Sequence, residues 1–147
     1  MNDKIVAFAG HRYDWQNIGI DKKLKEIIIC LIEKGYKVFF DGGKGFFDKL
    51  TSSIILELKK QYKDIKLYRV LANYQSDSKK LNLPIGYDGI YMPEVEQFHP
   101  KARIKKRNEW IVDQCDILVC HIFETYKSGA YTMLKYAQKK NKHIINI

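Results

Sequence analysis

Four short segments hold residue types suited to binding an anion. Gly10-His11-Arg12 follows an apolar run. There Gly10 lets a ligand approach the backbone, His11 donates or accepts near neutral pH, and Arg12 offers a planar fork for phosphate. Asp41-Gly42-Gly43-Lys44-Gly45-Phe46-Phe47-Asp48 runs from a second apolar stretch into a helical pattern. Gly42, Gly43, Lys44 and Gly45 would present backbone N–H groups and the positive end of a helix to a phosphate. Asp48 would either cap that helix or accept from a ribose hydroxyl. The segment is neither a dinucleotide fingerprint nor a Walker loop, because no Ser or Thr follows Lys44 to hold magnesium. Glu124-Thr125-Tyr126-Lys127-Ser128-Gly129-Ala130 repeats the strand-to-helix arrangement. Ser128 is suited to the N-cap, Gly129 leaves room for an anion, and Tyr126 is placed to stack on a base. In the basic segment, Arg103, Arg107, Trp110 and Gln114 share one helical face, while Ile104, Asn108, Ile111 and Cys115 are spaced to face a sheet. Arg107 beside Trp110 would pair a phosphate and stack a base; the alternative is a half-buried Trp110 packed beside solvated arginines.

Other chemistries find little support. His11, His99, His121 and His143 are scattered, and the side chains of Cys120 and His121 would leave a strand on opposite faces, so no metal site is expected. No GxSxG nucleophile elbow occurs, and no cofactor is called for. Cys30, Cys115 and Cys120 are odd in number, widely spaced and set among apolar residues, which predicts reduced core thiols in a cytoplasmic protein. The balance of 26 Lys and Arg against 17 Asp and Glu gives a net charge of +9. It favours anionic partners, although many of the lysines fall on solvated helix faces. No apolar run approaches the roughly 18 residues of a membrane span, and the one ending at Gly10 is too short for a signal peptide.

The elements that must position these residues follow from the hydrophobic period. Apolar or alternating runs at 5–9, 37–40, 65–71, 116–121 and 143–147 predict strands. A further short strand is expected near 88–91, inside an otherwise irregular stretch from about 72 to 100. Helical spacing covers 24–31 with Gly35 as C-cap, then about 47–60, about 101–114, and a last helix opened by Ser128-Gly129. This alternation predicts an α/β fold: a single domain over 1–147, a Rossmann-like three-layer sandwich with a mainly parallel sheet. Such sheets bind ligands at the carboxyl ends of their strands, where the glycine-rich segments fall.

Taken together, Phe8-Ala9-Gly10-His11-Arg12, Gly42-Gly43-Lys44-Gly45-Phe46-Phe47-Asp48, Lys106-Arg107-Asn108-Glu109-Trp110-Ile111-Val112-Asp113, Lys127-Ser128-Gly129-Ala130, Tyr136-Ala137 and Ile144-Ile145-Asn146-Ile147 resemble the SLOG superfamily. This superfamily includes the Smf/DprA and LOG proteins. The chain is most similar to its small YpsA-like branch, found in Firmicutes genomes and prophages. The resemblance implies a Rossmann-like fold with a nucleotide-type ligand at the strand ends, and self-association. LOG proteins cleave the N-glycosidic bond of nucleoside monophosphates with an Arg and a Glu. Arg107 matches that Arg by its spacing to Asp116. The Glu-bearing turn has no match, since Lys127-Ser128-Gly129-Ala130-Tyr131-Thr132-Met133 carries no carboxylate.

The expected function is therefore binding of a nucleotide or nucleotide-derived phosphate ligand, ahead of hydrolysis. Gly42–Gly45 and Ser128-Gly129 would hold phosphate, Arg12 and Arg107 would supply charge, Asp48 would meet ribose, and Trp110 or Tyr126 would stack on the base. One alternative is an N-glycosidase using Glu124 or Asp48. Another is a nucleic-acid binder with a basic stripe through Lys101, Arg103, Lys105, Lys106 and Arg107. No membrane partner is expected. The segment from Leu83 to Tyr91 would serve as an interface or a lid.

Overall fold

The computed structural model describes residues 3–11, 19–43, 45–72, 85–123 and 128–147. Arg12, Lys44, Leu83, Glu124 and Tyr126 lie outside them. The strands are β1 (Ile5–Gly10), β2 (Val38–Asp41), β3 (Lys66–Val70), β4 (Gly89–Tyr91), β5 (Ile117–His121) and β6 (His143–Asn146). The helices are α1 (Asp21–Glu33), α2 (Gly45–Leu58), α3 (Pro100–Gln114) and α4 (Gly129–Lys139). The strands form one six-stranded sheet in the order β4-β3-β2-β1-β5-β6, and every pairing is parallel. This is a single-domain α/β fold of the Rossmann-like sandwich type.

The strand residues explain the layers. Successive side chains leave a strand on opposite faces. Val6, Phe8, Phe39, Leu67, Ile117 and Val119 pack against the apolar stripes of α1 and α2. Ala7, Ala9, Phe40, Val70, Leu118 and Cys120 pack against α3 and α4. The chain winds outward from β1 to β4, then crosses back to β5 beside β1. Helices after that reversal lie on the other face, as a constant hand of crossover requires. The reversal leaves a crevice at the carboxyl ends of β1 and β5, where Gly10 is level with His121.

The carboxyl end of α1 follows its sequence signal. Tyr36 N–H donates to Leu31 O and Gly35 N–H to Ile32 O, the paired bonds of a glycine-terminated helix. The cysteine expectation needs one correction. Cys30 is exposed, while Cys115 and Cys120 are buried. Leu24, Ile28, Leu31 and Ile32 take the buried stripe of α1, which turns Cys30 to solvent. Burial pushes the Cys115 thiol up to about 11 and the Cys120 thiol up to about 12. A disulfide reagent at pH 8 is therefore expected to titrate one thiol rapidly in the native protein, the other two reacting only on unfolding. Among the described residues no helix is long and apolar enough to cross a membrane.

Candidate functional site

A cavity of about 270 Å³ opens at the crevice between the ends of β1 and β2 and the amino end of α4. Its lining unites residues from four of the sequence segments: Gly10, Gly42, Asp48, Arg107, Ser128 and Gly129. Asn108, Ile104 and Met133 complete the side formed by α3 and α4. Ile104, expected to face the sheet, instead stands at the mouth and is 39% exposed.

Arg107 projects from α3 onto the sheet edge and is only 2% exposed. Its Nη1 donates to Val70 O (2.7 Å) and Gly42 O (3.1 Å), and its Nε to Asn108 Oδ1 (2.9 Å). These bonds hold the planar fork in one orientation. Gly42 makes the close approach possible, since a Cβ there would lie 3.0 Å from Arg107 Cζ. Gly43 has φ +71°, and a Cβ on it would fall 2.7 Å from Arg69 Nε. The two glycines thus bring two guanidinium groups against one turn.

The opposite wall is the start of α4. Ser128 Oγ accepts from Tyr131 N–H (3.3 Å), the N-cap bond expected of it. It also lies 2.7 Å from Nδ1 of His11, which is fully buried. Phe123 N–H donates to His11 Nε2 (3.0 Å), so Nε2 carries no proton. Burial, reinforced by His121, holds His11 below its ordinary value of 6.5, so the ring is neutral at pH 7. Its single proton is therefore on Nδ1 and is donated to Ser128. The pair is thus not a nucleophile with its base, because His11 already holds the proton it would have to take. Ser128, accepting twice, has its own hydroxyl proton left to donate. His11 fixes this polarity as a positioning residue.

Three side chains under the Gly42–Gly43 turn were not singled out as candidates in the sequence. Asp41 is 1% exposed and accepts from Arg69 Nε (3.2 Å) and from Tyr87 Oη. Arg69 Nη2 also donates to Tyr87 Oη (2.8 Å), and the guanidinium lies over the Tyr87 ring, 4.8 Å from its centroid. Asp41 and Arg69 are register partners on adjacent strands. Burial raises the Asp41 carboxyl above its ordinary range, against the opposing pull of Tyr87 and Arg69. An acid whose value is raised on folding holds its proton more tightly in the native state. Its contribution is full below the unfolded value of 3.8 and is lost as pH rises through the folded one. Wild type is therefore expected to lose stability relative to Asp41→Asn as pH rises from about 4 to 7, measured by urea unfolding across that range.

Two sequence expectations are corrected by side-chain placement. Trp110 does not line the cavity with Arg107. It stacks on Phe40 (6.0 Å, 9°) and meets Tyr91 (5.8 Å), a half-buried packing role above the outer strands. The basic stripe of α3 is also not continuous. Arg107 is buried, Arg103 donates to the carbonyls of Glu96 and Phe98 ahead of the helix, and Lys106 pairs with Glu109. Gly45 begins α2, two residues before the expected start, and Asp48 lies in its first turn. The residues missed were Asp41, Arg69 and Tyr87. A charged residue closing an apolar strand, and an Arg inside one, were the available signals.

No protein-family model matches the chain, and no curated protein matches it in sequence. Solved structures do resemble it. The X-ray structure of TM1055 aligns with a TM-score of 0.63 at 14% identity, over 96% of this chain and 72% of that one. The molybdenum cofactor carrier protein from Chlamydomonas reinhardtii aligns with a TM-score of 0.57 at 12% identity, over 97% of this chain and 75% of that one. At such identities the likeness establishes the fold.

Proposed function

We propose that this protein binds a nucleotide or nucleotide-derived phosphate ester at the carboxyl edge of its sheet, as a binding or sensing domain of the small YpsA-like kind. The observation that carries this reading is Arg107. A guanidinium held 2% exposed by fixed hydrogen bonds in the wall of a 270 Å³ cavity is suited to an oxyanion there. Ser128 adds a hydroxyl donor, and the amino end of α4 adds backbone N–H groups and its dipole. Asp48, on the α2 side, is an acceptor suited to a ribose hydroxyl. A cofactor carrier among the structural neighbours is in keeping with small-molecule binding.

Gly129 offers a test that separates binding from packing. A Cβ on Gly129 would meet nothing within 4 Å, so packing does not require glycine there. Gly129 nevertheless lines the cavity. Gly129→Val is expected to leave stability within about 0.5 kcal/mol of wild type. The same substitution should weaken AMP at least about tenfold in titration calorimetry, by placing a branched side chain where the phosphate approaches the helix. Unchanged AMP affinity in a folded Gly129→Val variant would remove the phosphate from this helix end.

A further inference from the structure

The cavity at the sheet edge does not end at α4. A second cavity of about 280 Å³ runs between α3 and α4. Ile104, Asn108, Gly129 and Met133 line both. The two spaces therefore meet across a neck with Ile104 and Met133 as its apolar part. Each alone is slightly smaller than the roughly 300 Å³ at which small-ligand sites begin, and joined they fall within the ordinary range. Ile104 is 39% exposed at this neck, although it lies on the helix face spaced for the core. An apolar side chain placed there suits the flat face of a base or the carbon edge of a sugar.

The far cavity has its own charge. Lys101 and Lys105 line it, one helical turn apart on the same side of α3. Among the described residues neither ammonium has an ion-pair partner. Glu109 also borders the cavity, but its carboxylate is 3.4 Å from Lys106 Nζ. Arg107 in the first cavity and the two lysines in the second make two cationic positions separated by an apolar neck.

We infer that the ligand is bipartite, a nucleotide phosphorylated at two separate positions, with one phosphate in the first cavity and the other between Lys101 and Lys105. This inference rests on the proposed binding of a nucleotide phosphate and deepens it by naming the ligand class. The lysines act as point charges on an exposed rim. They therefore recognise a terminal phosphate, without the geometric demand that a buried Arg makes.

The test is titration calorimetry with two matched pairs of probes: AMP against adenosine 3′,5′-bisphosphate, and NAD against NADP. Each is titrated into wild type and into a Lys101→Gln/Lys105→Gln double variant. Both lysines are exposed, so the fold is expected to tolerate the changes, and AMP affinity serves as the internal check. In wild type the second phosphate is expected to tighten binding about tenfold in at least one pair. In the double variant that gain should vanish, while AMP and NAD stay within about twofold of wild type. Equal affinities within both pairs would overturn the bipartite assignment and leave the first cavity as a mononucleotide site. A gain that survives in the double variant would also overturn it, by placing the second phosphate away from the lysines. Failure of all four probes to bind wild type would overturn the nucleotide reading and this inference with it.

Discussion

Gly10→Ala is expected to destabilise the protein by about 3 kcal/mol, the upper part of the range for overpacking a core, which is a fall of about 10 °C in Tm at this chain length. A Cβ on Gly10 would lie 2.2 Å from Cγ of Phe47 and 2.5 Å from its Cβ. Phe47 is 1% exposed and belongs to the core under α2. The ring cannot move aside without displacing the helix that carries the Gly42–Gly43 turn at its start. Here glycine is required by helix-on-strand packing. Gly10 also lines the cavity, where the sequence suggested it for ligand approach. Thermal unfolding of Gly10→Ala and of Gly10→Ala/Phe47→Leu checks the cause. The double variant should recover part of the loss, and the coupling energy should be of the order of 1 kcal/mol or more.

Arg107→Met is expected to be costly twice over. The substitution keeps much of the buried stem but removes donors to Val70 O and Gly42 O at the sheet edge. Loss of hydrogen bonds from a buried charged donor costs about 2–3 kcal/mol of stability. Loss of the guanidinium should also weaken a bound phosphate about a hundredfold, of the order of 3 kcal/mol for a charge-assisted contact. Arg107→Lys separates the two effects. It keeps a cation but lacks the planar fork, so it should hold most of the stability while still losing about tenfold in affinity. Urea unfolding and AMP titration on both variants read the two effects independently. Wild-type affinity in Arg107→Lys would mean that charge alone, and not the fork, serves the ligand.

Much of the architecture was legible because it depends on patterns the chain repeats. Buried runs such as Ile117–Cys120 have few alternatives to a central strand, and their alternation with helical spacing leaves few folds open. The short β4 strand was found at Gly89–Tyr91, where one near 88–91 was expected. The glycine-rich turns and Ser128 were legible for a related reason: each is a local signal at a strand-to-helix junction, and the topology brings such junctions to one edge.

What escaped the sequence depends on register and on the direction of single side chains. Nothing local says that Asp41 and Arg69 sit level on neighbouring strands, or that Tyr87 reaches both. Trp110 and Arg107 are three residues apart, yet one packs on Phe40 and the other enters the sheet edge. Helical spacing gave their shared face but not this divergence. Ile104 and Cys30 misled for the same reason, since a stripe about 100° wide leaves its border residues free to be buried or exposed. His11 was singled out for its chemistry near neutral pH. Its burial and its bonds to Phe123 and Ser128 give it one fixed tautomer instead.

The proposed site for a nucleotide phosphate is the crevice beside Arg107 and Ser128. Titration calorimetry of the purified protein with AMP, at about 50 mM and about 300 mM salt, tests it most directly. Saturable binding at one site per chain that weakens only slightly with salt is expected, because a single phosphate displaces few counterions. No AMP binding at either salt, together with nucleic-acid binding that falls steeply between them, would contradict it.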